Sequence, residues 1–107
     1  MLKIVDVILR LIGKVAPLVK EVRRHSREHA EQITDALNSA LMNTAEGSDQ
    51  VGGRRDNHYR IALGSAREAL LGLEGAVRWG WIGPLDGDVR NDFNHVIGTL
   101  HNVLFKR

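Results

Sequence analysis

Along the first 22 residues, apolar positions alternate at spacings of three and four: Met1, Ile4, Ile8, Leu11, Val15, Leu18 and Val22. That period lays one stripe down an α-helix, so the segment is predicted as helix 1. Leu2, Val5, Leu9, Ile12, Ala16 and Val19 repeat the alternation one position over, and the resulting apolar arc is wider than one neighbouring helix needs. Lys3, Asp6, Arg10, Gly13, Pro17 and Lys20 take the remaining face. Pro17 lacks an amide proton, so it is expected to kink the helix on its outer side or to end it. Lys3, Asp6, Arg10 and Lys14 break the segment about once per turn, which leaves no uncharged span of about 18 residues for a membrane anchor.

Three more segments carry the same period. Helix 1 is expected to stop between Arg23 and Ser26, and helix 2 to start with Ser26 as N-cap and Glu28 in its first turn. Ala30, Ile33, Leu37, Ala40 and Thr44 form its inward stripe, and Gly47 is placed to stop it. Helix 3 is predicted from about Arg54 to Asn57 onward, with a core stripe of Leu63, Ala66, Leu70, Leu73 and Val77. Beside it run only small residues, Ser65, Ala69, Gly72 and Ala76, and this stripe together with the Gly64–Ser65 pair reads as close approach to another helix. The WGWIGPLDGD stretch breaks the pattern; Asp86 or Asp88 then caps helix 4, whose stripe is Val89, Phe93, Val96, Leu100 and Val103. Four amphipathic helices with short links and no strand-like alternation predict an all-α, up-down-up-down four-helix bundle.

Composition adds bounds. A chain of 107 residues has room for one domain with one core, and 43% hydrophobic residues suit a globular protein. With only 5% aromatic residues, that core must be aliphatic. No cysteine is present, which excludes a disulfide framework and thiolate metal ligands. The compartment is left open by this, with the cytoplasm as default. A formal charge of +2 permits an anionic partner without demanding one.

Gln32, Ile33, Ala36, Ser39, Asn43, Ala45, Glu46 and Gly47 reproduce a Q-I-x-x-A-x-x-S-x-x-x-N-x-A-E-G pattern. HYRIALGSARE, His58 to Glu68, with Leu73, Ala76 and Gly80 to Ile82, continues it in order. These residues, covering helices 2 and 3, resemble the bacterial four-helix-bundle proteins called 23S rRNA intervening sequence proteins. The resemblance implies a ring-like homopentamer without an assigned activity. It also extends to the accessory variability protein of diversity-generating retroelements, a basic pentamer that binds a reverse transcriptase and nucleic acid.

Candidate chemistry is sparse. Gly47 to Gly52 spells G-x-x-x-x-G, but Gly53 and Arg54 stand where a phosphate loop needs Lys and Ser or Thr, and no strand precedes it. No glutamate has a histidine three positions later, as a di-iron bundle would require. His25 and His29 lie one turn apart and could share a metal, although the arginines around them repel a cation. No nucleophile, base and orienting group assemble, so the expectation is a protein that is not an enzyme and carries no cofactor.

Arginines supply the remaining signal. Lys20, Arg23, Arg24 and Arg27 cluster at the first turn, where cations suit a helix C-terminus; Arg54, Arg55 and Arg60 cluster at the start of helix 3, where they oppose the dipole. Repeated around a ring, such clusters would attract phosphates. The six arginines are therefore the candidate nucleic-acid contacts, with RNA or DNA as partner and a reverse transcriptase or other protein as a further one. Leu2, Val5, Leu9 and Ile12, with Leu71 on the outward arc of helix 3, are the candidate oligomer interface. A protein-binding adaptor using those same apolar surfaces is the alternative.

Overall fold

The alternating spacings are realised as four antiparallel helices. A computed structural model of the chain describes residues 2–106, with side chains from residue 3 on. The helices are α1 (Leu2–His25), α2 (Arg27–Ser48), α3 (Gly52–Arg78) and α4 (Gly87–Phe105), and no strand occurs among the described residues. Each packs on the next, and α4 returns to α1, which closes an up-down-up-down bundle about 42 Å long. Met1, at the head of the first stripe, lies outside the described residues.

The predicted stripes supply most of the core, joined by Val7, Tyr59 and Ala62, which lay on none of them, while Leu70 and Val77 of the α3 stripe are only half-buried. Ile4, Ile8, Leu11, Val15 and Val22 are buried on α1, and Val89, Phe93, Val96 and Leu100 on α4, where Leu104 takes the buried place expected of Val103. Burial of such side chains contributes about 25 cal/mol per Å² of apolar area, the main favourable term here. One apolar cluster gathers around Phe93, Leu73 and Ile33, a second around Tyr59, Ile8 and Leu100; Ile12 and Ile97 touch both.

α1 passes through Pro17 without ending. Pro17 and Gly13 are both exposed, so the Gly13 carbonyl, deprived of its amide partner, faces water. Ser26 alone links α1 to α2: it is extended, and its hydroxyl accepts from the His29 amide at 3.1 Å, as an N-cap does.

Two boundaries differ from expectation, and a third holds in position only. Gly47 does not stop α2, which runs on to Ser48 with Gly47 in ordinary helical conformation. Its reason is steric: a Cβ there would fall within 2.7 Å of Cδ1 of Tyr59 on α3. α3 starts at Gly52, two residues before the predicted range, because Gly52 takes φ +60 and turns the chain straight into helix. Asp86 stands at the start of α4, but its side chain caps nothing; Asp88 sits in the first turn instead.

Candidate nucleic-acid interface

The family-like residues of α2 and α3 face one another. Ser65 Oγ donates to Ser39 Oγ at 2.7 Å, Asn43 Nδ2 donates to the Ser39 carbonyl at 2.9 Å, and His58 Nδ1 lies 3.0 Å from Asn43 Oδ1. Further along, Gly72 admits Ile33, since a Cβ on Gly72 would lie 2.7 Å from Ile33 Cγ1. The His29 ring closes this seam, its Nε2 donating to the Gly72 carbonyl at 2.7 Å. The small stripe of α3 is thus a close helix contact, with one correction. Gly64 is exposed with nothing near its missing Cβ, so only Ser65 of that pair packs.

The six candidate arginines do not form one patch. An up-down-up-down chain places the α1–α2 turn and the α2–α3 turn at opposite ends, and α2 separates them by about 30 Å. At the first end, Arg24 pairs with Glu21 at 3.3 Å, Arg27 with Glu31 at 3.2 Å and Arg23 with Glu31 at 3.8 Å. At the second, Arg55 pairs with Asp56 at 3.4 Å, whereas Arg54 and Arg60 are exposed and have no acidic partner among the described residues. Val51, at the N-cap of α3, offers no side-chain acceptor to the first amides. Those amides and the Arg54 guanidinium are anion-seeking groups of one kind at one place. The G-x-x-x-x-G stretch is divided among the end of α2 (Gly47 and Ser48), a plain turn of residues 49–51 and the first residue of α3, Gly52.

His25 and His29 converge on Trp81 rather than on a shared ligand. His25 stacks on the indole at 5.8 Å between centroids, and His29 meets it edge-on at 5.1 Å. Trp79 stacks on the same ring at 5.8 Å, with planes 14° apart. Glu21 Oε2 lies 3.5 Å from His25 Nε2, but among the described residues no group of three side chains is placed to hold a metal ion. The two tryptophans escaped sequence reasoning, which treated W-G-W as punctuation. The available signal was that two of the five aromatic residues stand one glycine apart.

Asp92 was also missed. It is buried on α4 and takes Arg10 Nη2 at 2.9 Å, from a residue assigned to the outer face of α1, and Lys14 Nζ at 3.0 Å, from one of the charges that interrupt its apolar run. The Arg10 hydrogen bond, aided by Lys14, holds this carboxyl below its ordinary value against the opposing effect of burial. Both cations are consumed by a structural clamp between α1 and α4.

The apolar candidates lie on two different surfaces. Ile12, Ala16 and Val19 line a groove with Thr34, Leu37 and Asn38 of α2, and Leu9, three residues before Ile12 on the same helix, is 50% exposed. Val5 is half-buried on the same helix, and the Leu2 side chain lies outside the described residues. Leu71, 72% exposed, stands on α3, diagonal to α1 in the bundle. No helix among the described residues is long and apolar enough to cross a membrane.

No protein-family model and no curated protein matches this chain. A solved structure does: a protein of unknown function from the S23 ribosomal protein family of Bacteroides thetaiotaomicron VPI-5482. The likeness has a TM-score of 0.78 over 95% of this chain and 98% of that one, at 21% identity. The two chains share one fold. Architecture is common from end to end, and sites must still be argued from the residues of this chain.

Proposed function

We propose that the protein is a non-enzymatic, homo-oligomeric scaffold that binds nucleic acid through its phosphates. The observation that carries this reading is the start of α3, where a helix N-terminus without a side-chain cap stands together with the exposed Arg54, and Arg60 follows about two turns on, neither arginine having an acidic partner among the described residues. A cation at a helix N-terminus opposes the dipole by about 0.3–1 kcal/mol, a cost that disappears when an anion lies between them. Backbone phosphates are such anions, and contacts of this kind carry affinity without reading sequence.

Assembly multiplies the site. The α1–α2 groove and the Leu71 surface of α3 are different patches on different sides of the bundle, so contact between copies would be head-to-tail, the geometry that closes into rings. A pentameric ring accompanying a reverse transcriptase, as the sequence resemblance implies, belongs to this proposal. A pure protein adaptor would use the same apolar surfaces and leave the arginines idle.

Fluorescence anisotropy with labelled RNA and duplex DNA tests the reading. Affinity is expected to fall steeply between about 50 and about 200 mM salt, as counterion release requires. Binding that is absent, or indifferent to salt, overturns it.

A further inference from the structure

We propose that the opposite end of the bundle is a stacking platform for an unpaired base of single-stranded nucleic acid, presented on Trp79. The proposal rests on the reading of the protein as a nucleic-acid binder, and it names a second site remote from Arg54.

The platform is built before any ligand arrives. Gly80, at φ +80, ends α3 in a left-handed turn closed by two bonds, Gly80 N–H to the Val77 carbonyl at 3.0 Å and Trp81 N–H to the Ala76 carbonyl at 3.0 Å. This turn brings the two indoles into a stack, with planes 14° apart. Trp81 packs on the core and is held between His25 and His29, while buried Ile82 and Leu85 anchor the rest of the loop. Trp79 is therefore the outer rung of a fixed ladder and is 70% exposed. A free indole face of this kind accepts a base of any identity.

Cations for the adjoining phosphates are present. Arg78 directly precedes Trp79, is exposed, and has no acidic partner among the described residues. Arg24 and Arg27 are held only by exposed pairs with Glu21 and Glu31, which phosphate can displace because such pairs are weak. Glu28, Asp86 and Asp88 share this end, so its net field is too small to hold a duplex by charge. Stacking is the dominant attraction, and it requires a base whose face is not already covered by a neighbour. That selects single strands.

The full-length protein is titrated with labelled single strands of about 16 nucleotides, as RNA and as DNA, and with the matching duplex, at about 200 mM salt. Trp79→Ala and Trp79→Phe are compared with Arg54→Glu/Arg60→Glu, and light scattering gives the mass of each. Expected are single-strand binding about ten-fold tighter than duplex, quenching of tryptophan fluorescence, and a loss of about ten-fold in Trp79→Ala confined to single strands and largely restored in Trp79→Phe. RNA and DNA are expected to differ little, since stacking ignores the sugar. Equal losses on strand and duplex, or no loss, overturn the platform. So does a change of mass in Trp79→Ala, which would make Trp79 a subunit contact. Salt-dependent binding that ignores Trp79 removes only this inference; no binding by the wild type removes the proposed function as well.

Discussion

At the scale of the residue, Asp92 shows how a buried charge is made tolerable, and it gives the fold a dependence on low pH. Its carboxyl is held below the ordinary value in the folded protein, chiefly by the Arg10 hydrogen bond, so the unfolded chain takes up a proton first as pH falls. The stabilisation is thus fully present above the unfolded value of about 3.9 and is lost as pH drops from there through the folded value. Asp92→Asn should be less stable than wild type in urea at pH 7, with the gap narrowing below about pH 4. A gap that stays constant from pH 7 to pH 3 would show that the clamp contributes nothing through its charge. The clamp was hidden in the sequence because Arg10 falls on the polar arc of α1 and Lys14 interrupts its apolar run, and only the packing of α4 reveals that long side chains reach back over the edge.

At the scale of the element, the helices were legible, as were the Ser26 junction and the start of α4 at Asp86, but the two ends that flank the α2–α3 turn were not. Periodicity of three and four located all four helices, since it comes directly from the need to bury one face. Gly47 misled because a glycine near a helix end reads as a stop; the residue that explains it, Tyr59, belongs to another helix. Local sequence cannot report such a contact. Gly47→Ala should therefore destabilise the protein by about 1–3 kcal/mol through overpacking, despite alanine's better helix propensity. Gly64→Ala, with nothing near its Cβ, should instead stabilise by up to about 1 kcal/mol. Thermal melts of the two variants check this, and shifts of the same sign would contradict the steric account. The tryptophan pair was missed for a similar reason: the glycine between them announces a turn, but only the folded turn brings the indoles together.

At the scale of the whole molecule, the candidate site was half legible. The charges were visible as clusters, but the topology divides them between two ends, and pairing separates Arg54 and Arg60 from the rest. Self-assembly through the α1–α2 groove and Leu71 should be sensitive to charge in either patch. Leu9→Lys and Leu71→Lys are each expected to yield a smaller particle by light scattering, while a mixture of the two should recover dimers through the one intact pair of surfaces. Unchanged mass in both would place assembly elsewhere.

The central claim, phosphate binding at the start of α3, is tested most directly by the salt dependence of RNA binding for wild type and for Arg54→Glu/Arg60→Glu. The wild type should lose affinity linearly in the logarithm of salt, and the variant should bind weakly with a slope reduced by about 0.7–0.9 for each lost phosphate contact. An unchanged affinity and slope in the variant would contradict it.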